Sequence, residues 1–186
     1  MKNLLIIIIA VFSFVSCKKE AGLSTEEKKQ YIVKGKKIGK ATLQKLGSNL
    51  MIQMKAGGTK QAIPFCNVAA NPLTKEISDK YNVSIKRTSH KIRNEENKPN
   101  NDEQTILNTY LAQIEKGEKL KPMVKKDKNG KVHFYAPIKL EAKCLSCHGD
   151  IKNTATDSII KSFYPNDKAI GFKNGDFRGV LNVTFN

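Results

Sequence analysis

Acidic residues are scarce in this chain: 17 Asp and Glu stand against 33 Lys and Arg among 186 residues, a formal charge of +16. A surface so poor in carboxylates favours anionic partners, and its field acts mainly on encounter rate and orientation. Aromatic residues are also thin, at 7%, and no basic run carries aromatics at stacking intervals. That absence sets nucleic acid aside. Apolar runs are scarcer still. The longest, Leu4 to Val15, falls short of the roughly 20 residues that a spanning helix needs. Internal repeats and long low-complexity tracts are missing, which excludes solenoids and points to a single domain with a core of moderate size. There are only three histidines and four cysteines, so any metal or redox chemistry must be built from few residues.

The N-terminus sets Lys2 before the apolar run and Ser16 before Cys17. This is the shape of a secretory signal peptide over residues 1–16. "FVSC" resembles the lipobox of bacterial lipoproteins, which implies acylation of Cys17, a tether over 17–24, and lipid chains holding a domain of residues 25–186 to a membrane surface. The expected location is the bacterial cell envelope, facing the periplasm or the outer surface. There the basic excess suits anionic headgroups or an acidic redox partner.

Helical spacing of Tyr31, Ile38, Leu43, Leu46, Leu50 and Met54, with Ser24 or Thr25 as cap, predicts one long amphipathic helix ending at Gly57-Gly58. A second helix from Thr59 through Ala70, stopped near Pro72, puts Ala62, Ile63, Cys66 and Ala70 on or near one face. "YNVSIKRTS" alternates as a strand, "NEENKPNNDE" is a loop, and a helix follows from Asp102 to about Lys116. "LKPMVKKDKNGKVHFYAPIKL" predicts a hairpin with a tight Asn129-Gly130 turn. "GFKNGDFRGVLNVTF" predicts a second hairpin. Helices first and antiparallel strands after them make the fold class α+β.

"CLSCHG", residues 144–149, carries the chemistry. Cys-x-x-Cys-His is the attachment signature of c-type haem, in which two thiols become thioethers and the adjacent histidine supplies an axial nitrogen. Cys144, Cys147 and His148 therefore predict one covalently attached haem c. Competing readings are a thiol-disulfide pair, a zinc site that adds His148 and Cys66, and a plain disulfide. No early strand in a βαβ pattern precedes the pair, and adjacent Cys147 and His148 turn poorly toward one zinc. Candidates for the second axial position are Cys66, His90, His133, Met51, Met54 and Met123, or an open site. Met51, Met54 and Met123 also read as core fillers, and Cys66 as a small buried hydrophobe.

The blocks "AIPFCNVAA", "IKRTSHKIRNEENKP", "APIKLEAKCLSCHGD" and "YPNDKAIGFKNGDFRGVLNVTF" resemble, in order, those of monohaem c-type cytochromes with a PAS-like fold. The resemblance runs from about the first helix to the C-terminus. It implies haem against a PAS-like antiparallel sheet flanked by helices, with His148 and Cys66 as axial ligands. His90 stands where relatives carry an apolar residue, and Glu95 where they commonly carry proline. Thiolate ligation lowers the reduction potential, so the expected function is redox or small-ligand sensing, with one-electron transfer as the alternative and no enzymatic activity. Arg87, Arg93 and Arg178 are candidate partners of haem propionates. A redox or signalling protein is the expected partner.

Overall fold

The computed structural model describes residues 22–186. The expected signal peptide, Cys17 and most of the tether lie outside the described residues. Helix α1 spans Thr25–Tyr81 and opens on a capping box, in which Ser24 accepts from the Glu27 N–H and the Glu27 carboxylate accepts from the Ser24 N–H. Gly57 and Gly58 are non-helical, and Gly58 has φ +61. There the helix folds back, so that Lys45 meets Glu76 at 2.7 Å and Gln61 donates to Gln53 at 2.9 Å. The expected break at the glycine pair is thus the tip of a helical hairpin with two antiparallel arms.

The second arm does not stop at Pro72. It continues to Tyr81 and ends in Asn82 in the left-handed region. Pro64 and Pro72 each remove a donor from the ladder, a cost of about 3 kcal/mol in a free helix. Burial of Ala62, Ile63, Thr74 and Ile77 offsets it.

Strands β1 (Val83–Thr88), β2 (Met123–Lys126), β3 (Val132–Lys139) and β4 (Phe177–Phe185) form one antiparallel sheet in the order β1-β4-β3-β2. Helix α2 (Asn101–Glu115) covers one face through Ile106, Leu107 and Tyr110, packed on Tyr135 and Val180. The arms of α1 cover the other through Ile38 and Ile77, packed on Phe134, Leu181 and Val183. On the first arm the buried stripe is Gly35, Ile38, Gly39 and Thr42, because a β-carbon at Gly35 would enter the Phe134 ring. Leu43, expected on the apolar face, is 43% exposed.

Two turn expectations are corrected. The β2–β3 connection is not a two-residue turn: the Asp127 N–H donates to the Lys131 carbonyl, and only Gly130 has positive φ, as in a turn followed by a glycine bulge. "GFKNGDFRGVLNVTF" is one strand, not a hairpin. Gly171 and Gly175 have φ of +75 and +89 and keep 171–176 out of extended backbone, while Leu140 exchanges hydrogen bonds with Asp176 and Gly175. At Gly179, φ is +146, and a β-carbon would strike the Thr88 carbonyl and Ser89. Only glycine fits, and this close approach of β1 to β4 brings Arg87 and Arg178 to one end of the sheet.

Candidate functional site

Past β3 the chain makes a short turn of helix at Ala142–Cys144, then α3 (Leu145–His148); the Cys-x-x-Cys-His motif starts on the first with Cys144 and ends on the second with Cys147 and His148. Cys144 packs against Leu140, Ala169 and Phe172. Cys147 packs against Ile63, Ile151 and Ile160, and so joins the motif to the second arm of α1 and to α4 (Ala155–Phe163). All three described cysteines, Cys66, Cys144 and Cys147, are free thiols and half-buried. No disulfide joins Cys144 to Cys147, and among the described residues no group of three or more His, Cys, Asp or Glu is arranged to hold a metal ion.

The imidazole of His148 is held from one side. Its Nδ1–H donates to the Ala169 carbonyl at 2.7 Å, which fixes the tautomer and leaves the Nε2 lone pair without a hydrogen-bond partner among the described residues. Phe172 meets the ring edge-on at 6.3 Å. Burial, then the positive charges of Arg93 and Arg178, pushes the His148 pKa down to about 3, opposed by the bond to Ala169. The unfolded chain takes up this proton near pH 6.5, whereas the folded chain does not until far lower. With nothing bound at Nε2, folding stability is therefore complete above about pH 6.5 and falls as pH drops toward 3. Urea unfolding at pH 7.5 and 5 should show that loss, and His148→Gln should flatten it.

Cys66 lies one helical turn after Ile63 on the second arm and is half-buried. Burial raises its thiol pKa, the nearby Cys147 adds to the rise, and Arg87 and Arg93 oppose it. None of the other axial candidates shares this place. His90 is exposed and bonds Gln104. His133 bonds Asp127, Asn182 and Thr184 beside the β2–β3 turn. Met123 belongs to the core under α2, and Met51 is 40% exposed. Met54 precedes the helical tip.

The three arginines separate by their partners. Arg93 forms a fork on Asp167, with Nη2 3.1 Å from Oδ2, and also donates to the carbonyls of Cys147 and Ala169. Arg178 donates to the Lys91 carbonyl and lies over Phe172; burial, then the charge of Arg93, lowers its pKa to about 10. Arg87 follows Val83 and Ile85 on the α1 face of β1. Among the described residues it has neither a hydrogen bond nor an ion pair to protein. Its desolvation lowers its pKa, while Cys66 and Tyr164 act to raise it. Asp167, Ala169 and Phe172, which hold the motif in place, carry no periodic signal. They were visible only within the quoted "YPNDKAIGF" block.

The family model described as Tll0287-like matches residues 16–186. Among solved structures, this chain is similar to the crystal structure of the cyanobacterial heme-protein Tll0287. The two share 26% sequence identity and a TM-score of 0.60, over 88% of this chain and 96% of that one. No curated protein matches.

Proposed function

This chain belongs to the Tll0287-like family, and from that premise we propose that it is an exported, lipid-anchored monohaem c-type cytochrome that senses redox state or a small ligand. The donor set fits the cofactor. Cys144 and Cys147 lie on one short helical stretch as free thiols able to form thioethers. His148 offers an unshared Nε2, and Cys66 supplies a second soft donor from another element. The observation that carries this reading is the pinned His148: a half-buried, neutral imidazole with Nδ1–H committed to Ala169 and Nε2 open is prepared to ligate iron. When bound, the haem iron supplies one-electron chemistry, and a thiolate ligand holds its potential low.

Arg87 is the cation we assign to a haem propionate, since Arg93 and Arg178 already meet protein acceptors. Arg87→Gln is expected to weaken haem retention before the thioethers form, lowering the yield of loaded protein. Removing a half-buried cation that is unpaired among the described residues should not lower the stability of the haem-free chain, and denaturant unfolding measures that. A stability loss as large as that for Arg93 would reject the assignment.

The basic surface favours a second reading, a one-electron carrier for an acidic partner in the envelope. The first test is an optical spectrum of protein made with a haem c maturation system, oxidised and reduced, with the alkaline pyridine derivative. Absorbance that stays with the denatured chain supports covalent attachment. A colourless product from a host proven to mature haem c rejects the proposal and returns Cys144 and Cys147 to thiol or zinc chemistry.

A further inference from the structure

Residues 28–56 contain eight lysines and no acid. They form the first arm of α1, whose inner stripe rests on the sheet. On its outer side Lys29, Val33, Lys36, Lys40 and Leu43 recur at three- and four-residue steps, Met51 follows about two turns later, and all are exposed. Val33 is 69% exposed and Leu43 43%. Elsewhere on the hairpin, Ile52 and, on the antiparallel second arm, Val68 are 60% and 69% exposed. Lys36 and Lys40 have no carboxylate partner among the described residues, and Lys29 has only the loose contact to Glu26 at 3.7 Å. Five of the chain's large exposed apolar side chains thus share one helical hairpin with its densest unpaired positive charge.

We propose that this outer face of the α1 hairpin docks flat on an anionic phospholipid surface, lysines on the headgroups and the apolar side chains at the acyl boundary. Charge and position choose this occupant. The pattern of lysine and large aliphatic residues on one helix face is that of an interfacial helix. The apolar N-terminal segment joins the described chain at the start of this same arm, so an anchored domain is delivered with this face near the bilayer. A second copy on the stripe would set Lys36 and Lys40 against lysines with no acid between them. The proposal rests on the reading that the N-terminal segment holds the chain at a membrane; it is independent of the haem.

The test uses the full chain floated with vesicles of phosphatidylcholine alone or with a third phosphatidylglycerol, and reads the rate at which an amine reagent labels each lysine. Protection of Lys29, Lys36 and Lys40 on the anionic vesicles only, lost in 0.5 M salt, is the expected result. Lys116 and Lys119, which follow α2 on the opposite side of the sheet, should label equally throughout. The double variant Lys36→Gln/Lys40→Gln should lower the docked equilibrium on the order of thirtyfold and restore Lys29 labelling. Equal labelling on both vesicles overturns the docking while leaving the anchor intact. Protection that grows with protein density on neutral vesicles assigns the face to a second copy and also overturns it. A chain that floats with neither vesicle overturns anchor and docking together.

Discussion

Arg93→Met should destabilise the folded chain by about 3–5 kcal/mol, the cost of breaking a buried ion pair from one side. The Asp167 side chain is 3% exposed, and the arginine fork is its ion-pair partner. Without the guanidinium, that carboxylate is left uncompensated, and the carbonyls of Cys147 and Ala169 lose a shared donor. Arg93→Lys keeps the charge but not the planar fork, so it should recover only part of the loss. Denaturant unfolding at neutral pH reads both. A loss under about 1 kcal/mol for the methionine variant would show the network to be a surface pair in energetic terms. The functional consequence runs through Ala169. Its carbonyl accepts from both Arg93 and His148, so releasing it frees the imidazole to turn, and the variant should load haem poorly even where it folds.

Cys66→Ala carries the second large effect. If the thiol is the second axial ligand, its loss should abolish the ferric bands typical of thiolate ligation. It should also raise the reduction potential by on the order of 100 mV or more, since axial ligands tune haem over roughly 0.8 V. Spectroelectrochemical titration of variant and parent measures this directly. Covalent attachment at Cys144 and Cys147 should survive, which separates a ligand from an attachment defect. A variant with the parent's ferric spectrum and potential would return Cys66 to the role of a small buried hydrophobe.

Both variants bear on features of unequal visibility in the sequence. The chemistry of residues 144–148 is local: two thiols and an imidazole within five positions can be read wherever the chain goes. The same holds for the break at Gly57-Gly58, for the cap of α1 and for the alternation of β1. Turn geometry failed at Asn129-Gly130 and at 171–176, because a glycine permits several turns and the neighbouring strands select one. The reach of the second arm past Pro72 also escaped local reading, since propensity argued for a stop and burial of Thr74 and Ile77 overruled it.

What the sequence by itself determined is therefore the α+β class, the break at Gly57-Gly58, the excess of positive charge and the identity of the reactive groups. Each rests on composition or on contacts within a few residues. Only the tertiary structure brings Cys66 close enough to the motif, nearly eighty positions later, for Cys147 to act on its thiol. It decided that Arg93 reaches Asp167 across 74 positions while Arg87 is left without an acceptor among the described residues, and that the last strand enters the sheet between β1 and β3. Such pairings depend on how the sheet closes and which faces the helices cover. Spacing along the chain fixes neither, because the side chains that meet belong to elements joined only through the core.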